Sequence, residues 1–142
     1  MRRALILLLL ALAARPAAAQ DLSGAWFGER WAGTRLVQHL SQRGADGRFS
    51  VRFRFFTGCR ETGGQQQAGR WSAAGEEFHA VIETVDGAAP RAPGGEIAIT
   101  YVIEDLRGDR MAYRGPDGTL HRAFRVPADY AMPPPLGCAP TS

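Results

Sequence analysis

Two cysteines, three histidines and a set of arginines are the residues of this chain with the widest chemical reach, and their spacing narrows what each can do. Cys59 and Cys138 lie too far apart for the Cys-x-x-Cys arrangement of a redox pair, so together they read as one structural disulfide. His39, His79 and His121 fall on three different candidate strands. Three imidazoles could hold zinc with one position open, but alternation puts His39 and His121 opposite the apolar faces of their strands. They are expected as separate surface side chains, and no metal is expected. Glu76-Glu77 and Glu104-Asp105 are adjacent carboxylates at strand ends, which suits a solvated rim better than an acid and base pair. The chain has no Gly-x-Ser-x-Gly elbow, His-Glu-x-x-His helix, phosphate-binding glycine loop or haem-attachment Cys-x-x-Cys-His. No catalytic residue and no cofactor are therefore assigned, and the chain is read as a non-enzyme. Arg107-Gly108-Asp109, an adhesion-like tripeptide, is read as a hairpin turn.

The location of this chemistry follows from the first residues. Met1-Arg2-Arg3 is a positive start, Ala4 to Ala14 is an apolar run, and Ala17, Ala18 and Ala19 are the small residues of a cleavage site. Residues 1–19 are thus expected to be a cleaved secretory signal peptide. The run falls short of the roughly 20 apolar residues that span a bilayer, and no cysteine follows it to take a lipid. A periplasmic or secreted product is expected, with no membrane association after cleavage. Three of the 17 basic residues, all of them arginine, lie in that leader, which leaves the mature chain balanced against its 14 acidic residues. Neutrality removes the electrostatic case for nucleic acid or an anionic membrane.

About 123 residues remain, enough for one core. Segments of alternating polarity recur between turn residues, and no stretch has the spacing of a long amphipathic helix. Eight strands are expected near 24–30, 33–42, 48–56, 67–73, 76–85, 96–105, 109–115 and 119–126. The clearest sets Phe49, Val51, Phe53 and Phe55 against Ser50, Arg52 and Arg54. Ile97, Ile99, Tyr101 and Ile103 repeat the pattern. Gly44-Ala45-Asp46-Gly47, Ala73-Ala74-Gly75-Glu76 and Pro116-Asp117-Gly118 supply tight turns, so the strands are read as sequential antiparallel hairpins. The fold expected over 20–126 is all-β, a single antiparallel eight-stranded up-and-down barrel. Two long loops, 57–66 and 86–95, would then share one rim, the first made flexible by Gly63, Gly64 and Gln65 to Gln67. Residues 127–142 are Pro-rich and favour an extended strap. Its Cys138 reaches Cys59 if the strap climbs the barrel wall from the closed rim to the elaborated one.

Leu22-Ser23-Gly24-Ala25-Trp26 at the first strand resembles the Gly-x-Trp opening of lipocalins and their relatives. The last strand returns to the same rim with Arg122 and Arg125, and the resemblance implies that an arginine packs over the tryptophan there and plugs the barrel floor. Alternation with Leu120, Phe124 and Val126 turns Arg122 inward. Either it is that plug, with Arg125 as the other candidate, or it binds a ligand carboxylate, as in the small fatty-acid-binding branch of the superfamily. The chain departs from lipocalins in being shorter and in having a Pro-rich tail where many carry a helix.

The function expected is that of an exported lipocalin-like binding protein for a small apolar or amphipathic ligand, lined by Phe49, Phe53, Phe55, Tyr101, Tyr113 and Arg122, with Ile103 in the same ladder. The alternative is a protein-interaction barrel with a filled interior. Small exported barrels that inhibit secreted proteases also open with Gly-x-Trp and carry one disulfide, so the chain is similar to them too, and a protein partner is the corresponding expectation. Residues 20–25 or the 57–66 loop would make that contact.

Overall fold

A computed structural model describes residues 21–138; the expected signal peptide lies outside these residues. Eight strands follow in order: β1 (Gly24–Ala32), β2 (Arg35–Arg43), β3 (Arg48–Thr57), β4 (Arg60–Ala74), β5 (Glu77–Val85), β6 (Ile97–Arg107), β7 (Arg110–Arg114) and β8 (Leu120–Val126). Each pairs antiparallel with its neighbours, and β1 pairs with β8, so the sheet closes into an up-and-down barrel. Four connections are two-residue turns carrying Gly33, Gly58, Gly75 and Gly108 at positive φ, the conformation that tight hairpin turns demand.

The expected loop at 57–66 is absent. β3 and β4 are joined by Gly58-Cys59 alone, and Gly63 to Gln66 lie in the β4 ladder, Gly63 opposite Phe55 and Gln65 opposite Phe53. Glycine and glutamine have low strand propensity, but they face large rings across the pair. A side chain at Gly63 would begin 3.7 Å from the Phe55 ring, and at Gly64 2.9 Å from the Phe53 carbonyl. Tertiary pairing overrides propensity here. The long connection on that rim is therefore 86–96, which holds a 3-10 turn at Pro93–Gly95.

After β8 the chain climbs the outside of the barrel. The Gln42 side chain donates to the Ala128 carbonyl (3.1 Å), Gln38 to that of Pro133 (2.9 Å) and Arg54 to that of Met132 (3.1 Å). Met132 packs on Ala25, Phe27 and Leu40, and Tyr130 on the Phe27 ring at 5.3 Å. At the far rim Cys138 is disulfide-bonded to Cys59, a link that persists in oxidising surroundings.

This strap gives the barrel two apolar layers. One is the lumen, around Trp26, Phe78, Ile103, Met111 and Tyr113; the other lies between the wall and the strap. Hence β2 is buried from Leu36 to Ser41 without interruption, where a strand facing water on one side would alternate.

Candidate functional site

Side chains opposite each other in an antiparallel ladder project to the same face. Trp26 is fully buried in the lumen and lies opposite Ser41 on one side and Arg125 on the other. That register sends Val37, His39, Ser41 and Arg43 of β2 inward, and His121, Ala123 and Arg125 of β8. Two expectations are thereby corrected. Arg122 points outward and is exposed, and His39, expected on the surface, is 5% exposed inside the barrel. His121 is half-buried inside as well. Both errors have one cause: the apolar residues of β2 (Leu36, Leu40) and β8 (Phe124, Val126) face the strap side, where Phe124 packs edge-on to Phe27 at 5.5 Å. His79 does lie on the outside, its Nδ1 2.9 Å from the Thr100 hydroxyl.

The lumen is sealed at the end where β1 begins. The Arg125 guanidinium lies 4.4 Å over the Trp26 ring, so Arg125 rather than Arg122 holds this place. Its Nη2 donates to the Asp21 carbonyl (3.0 Å), its Nη1 donates to the Ser23 carbonyl, and Asp109 stands 3.6 Å from its Nε. The Trp26 indole donates to the Leu22 carbonyl at 3.1 Å. The indole N–H and both Nη groups of the plug thus have carbonyl acceptors, as burial requires.

Above the plug lies a cavity of about 60 Å³. Phe49, Phe53 and Tyr101, three of the residues expected to line a ligand site, border it together with Ser41, Arg43, Gln67, Trp71, Phe78 and Ile82. Arg43 is 7% exposed, its guanidinium 4.8 Å over the Phe78 ring. Among the described residues neither its Nη1 nor the Ser41 hydroxyl has a hydrogen-bond partner. Burial lowers the Arg43 pKa, an effect that the nearby hydroxyls of Tyr113 and Tyr101 oppose.

Toward the open rim follow His39, Tyr113 and His121. The Tyr113 hydroxyl is 3.4 Å from His39 Nε2, and its ring stacks on His121 at 5.0 Å. Tyr113 is thus buried in the wall above Phe78, held also by Tyr101 at 5.4 Å. Desolvation pushes the His39 pKa down to about 3, helped by the positive fields of His121, Arg43 and Arg30, and pushes the Tyr113 phenol up to about 12. Both are neutral at pH 7. Phe55 stacks on Phe53 at 6.4 Å nearer the mouth, under the Arg35 guanidinium at 4.8 Å.

The electrostatic character of the lumen is therefore one-sided. Arg30, Arg43 and Arg125 face inward, and among the described residues the strands place no Asp or Glu on the lumen face. Nor do three or more His, Cys, Asp or Glu side chains converge as a metal site there or elsewhere among those residues. Sequence reasoning missed Ser41 and Arg43, although a signal existed. Once Trp26 is placed inward, a two-residue turn at Gly33-Thr34 fixes Trp26 against Ser41 and carries Arg43 to the same face. No family model, curated protein or solved structure matches this chain.

Proposed function

We propose that this protein is an exported, lipocalin-like binding protein that takes a small amphipathic ligand into the open half of its barrel. The observation that carries this reading is the contrast between the two ends of the lumen. The floor is sealed by Leu22, Trp26 and Arg125, whereas Phe53, Phe55 and Tyr101 remain only half-buried toward the mouth and Ile97 is exposed there. Half-buried aromatic walls above a closed floor offer an apolar surface that a ligand can cover. The leader-like first 19 residues support export, and the disulfide agrees with an oxidising compartment.

The cavity volume of about 60 Å³ is far below the roughly 300–1,000 Å³ of ordinary ligand pockets. A ligand therefore seats only one small group in this cavity and lays the rest along the upper wall. The same small volume favours the second reading, a protein-interaction barrel whose filled interior is only a scaffold. Native mass spectrometry of the protein isolated from its own exported fraction separates the two. A co-purifying small molecule supports the binding protein; a stoichiometric protein partner with no small molecule overturns it.

A further inference from the structure

We propose that the group seated in the small cavity above the floor is a carboxylate, held by Arg43 and Ser41, so that the ligand is a small amphipathic acid. This rests on the lumen being a ligand site. Arg43 and Ser41 lie two residues apart on β2, on one face, and border one cavity. Each has a buried polar atom that no described residue satisfies, the Arg43 Nη1 and the Ser41 hydroxyl. Folded proteins rarely leave such groups unpaired, because desolvation without a partner opposes folding strongly and most of all for a charge. Even the part-buried guanidinium of Arg125 shows the usual outcome, with two backbone carbonyls and a nearby carboxylate. Arg43 has the face of Phe78 and the Tyr113 hydroxyl nearby instead, which leaves its Nη1 without a partner beside an open space.

The missing partner is an acceptor, since a guanidinium can only donate and a hydroxyl can donate too. A planar two-oxygen anion matches this donor set, one oxygen toward the guanidinium and one toward the hydroxyl. The cavity volume is about twice the share of one water in the liquid, which suits a carboxylate. A phosphate monoester brings more oxygens and up to two charges, and the cavity wall holds a single cation for them. Phe53 lies opposite His39, one inward position mouthward of Ser41, and is half-buried, so the carbon attached to the carboxylate points past it toward the mouth. That direction makes the ligand an amphipathic acid rather than a free small anion.

The test is calorimetric titration of the intact oxidised protein with octanoate, octanamide and acetate. Octanoate is expected to bind about tenfold or more tightly than octanamide, the scale of a lost hydrogen bond to a charged group, with acetate weaker than both. In Arg43→Met the preference for octanoate over octanamide is expected to vanish while octanamide binding persists. Ser41→Ala, a smaller change, is expected to narrow the preference and serves if Arg43→Met does not fold. Equal binding of octanoate and octanamide by the parent protein overturns the carboxylate assignment and leaves the lumen as a ligand site. Acetate binding as tightly as octanoate overturns the amphipathic acid in favour of a free small anion. No binding of any of the three overturns this assignment, while the lumen reading stands or falls separately on what co-purifies.

Discussion

Trp26 and His39 illustrate how much one inward position decides. Trp26 is fully buried, its indole hydrogen-bonded to Leu22 and its face covered by Arg125. Trp26→Ala opens the floor and is expected to cost about 3–5 kcal/mol, read as a lower urea midpoint; an unchanged midpoint would contradict the plug. His39 is held neutral by burial, with a folded pKa of about 3 against 6.5 for an ordinary histidine. Below pH 6.5 the unfolded chain takes up this proton and the folded one does not, so stability falls as pH drops from 6.5 toward 3. The slope approaches about 1.4 kcal/mol per pH unit, or about 2 kcal/mol between pH 7 and 5 from His39 alone. His121, also shifted down by desolvation, adds in the same direction. Urea denaturation across that window checks this, and His39→Gln is expected to flatten the dependence. Gly28 is a third such position: any side chain there collides with the Arg122 carbonyl and the His39 ring, so Gly28→Ala is expected to destabilise where glycine in a strand ordinarily weakens it.

Among the elements, β3 and β6 were legible because their apolar alternation faces the lumen while the outer face is exposed at Arg52 of β3 and at Ala98, Thr100 and Val102 of β6. This is close to the case for which period-two reasoning is built, with Arg54 and Phe56 of β3 covered. β2 and β8 were not, because the strap places a second apolar layer outside them and leaves their polar side chains to the lumen. Alternation reports that a strand has an apolar face. It does not report which side of the sheet that face covers. The strap was legible as an extended Pro-rich segment, but its docking depends on side chains of Gln38, Gln42 and Arg54 that look like ordinary surface residues. Arg43 and Ser41 were hidden for the same reason as His39. β4 failed differently, its Gly-Gln stretch reading as a loop although the rings of Phe53 and Phe55 across the pair hold it straight. The docking of the strap is testable through Met132, which is buried against Ala25, Phe27 and Leu40. Met132→Ala is expected to cost about 2 kcal/mol, the lower end for a buried methionine, without changing octanoate binding in the lumen; a shift in ligand affinity would mean that the two layers are coupled.

At the scale of the whole molecule, closure joins the first strand to the last. β1 pairs with β8 at Ala25 to Phe27, and the disulfide ties Cys138 to the β3–β4 turn across 79 residues of sequence. The barrel ladder is complete without the strap, since all eight strand pairings lie within 24–126. Reduction is therefore expected to lower stability while leaving the barrel folded. On a chain-entropy basis a loop of this length contributes about 4.5 kcal/mol, an upper figure because native-state effects commonly reduce it. Comparing urea unfolding of oxidised and reduced protein, followed by far-ultraviolet circular dichroism and by tryptophan fluorescence, measures that loss. Coincident transitions at a lower midpoint would match a single closed barrel that has lost one constraint. Loss of the β signal on reduction alone would show instead that the outer apolar layer, and not the lumen, holds the barrel shut. Cys138→Ser in the absence of reductant separates this from any effect of the reducing agent, and it is expected to reproduce the reduced protein's midpoint.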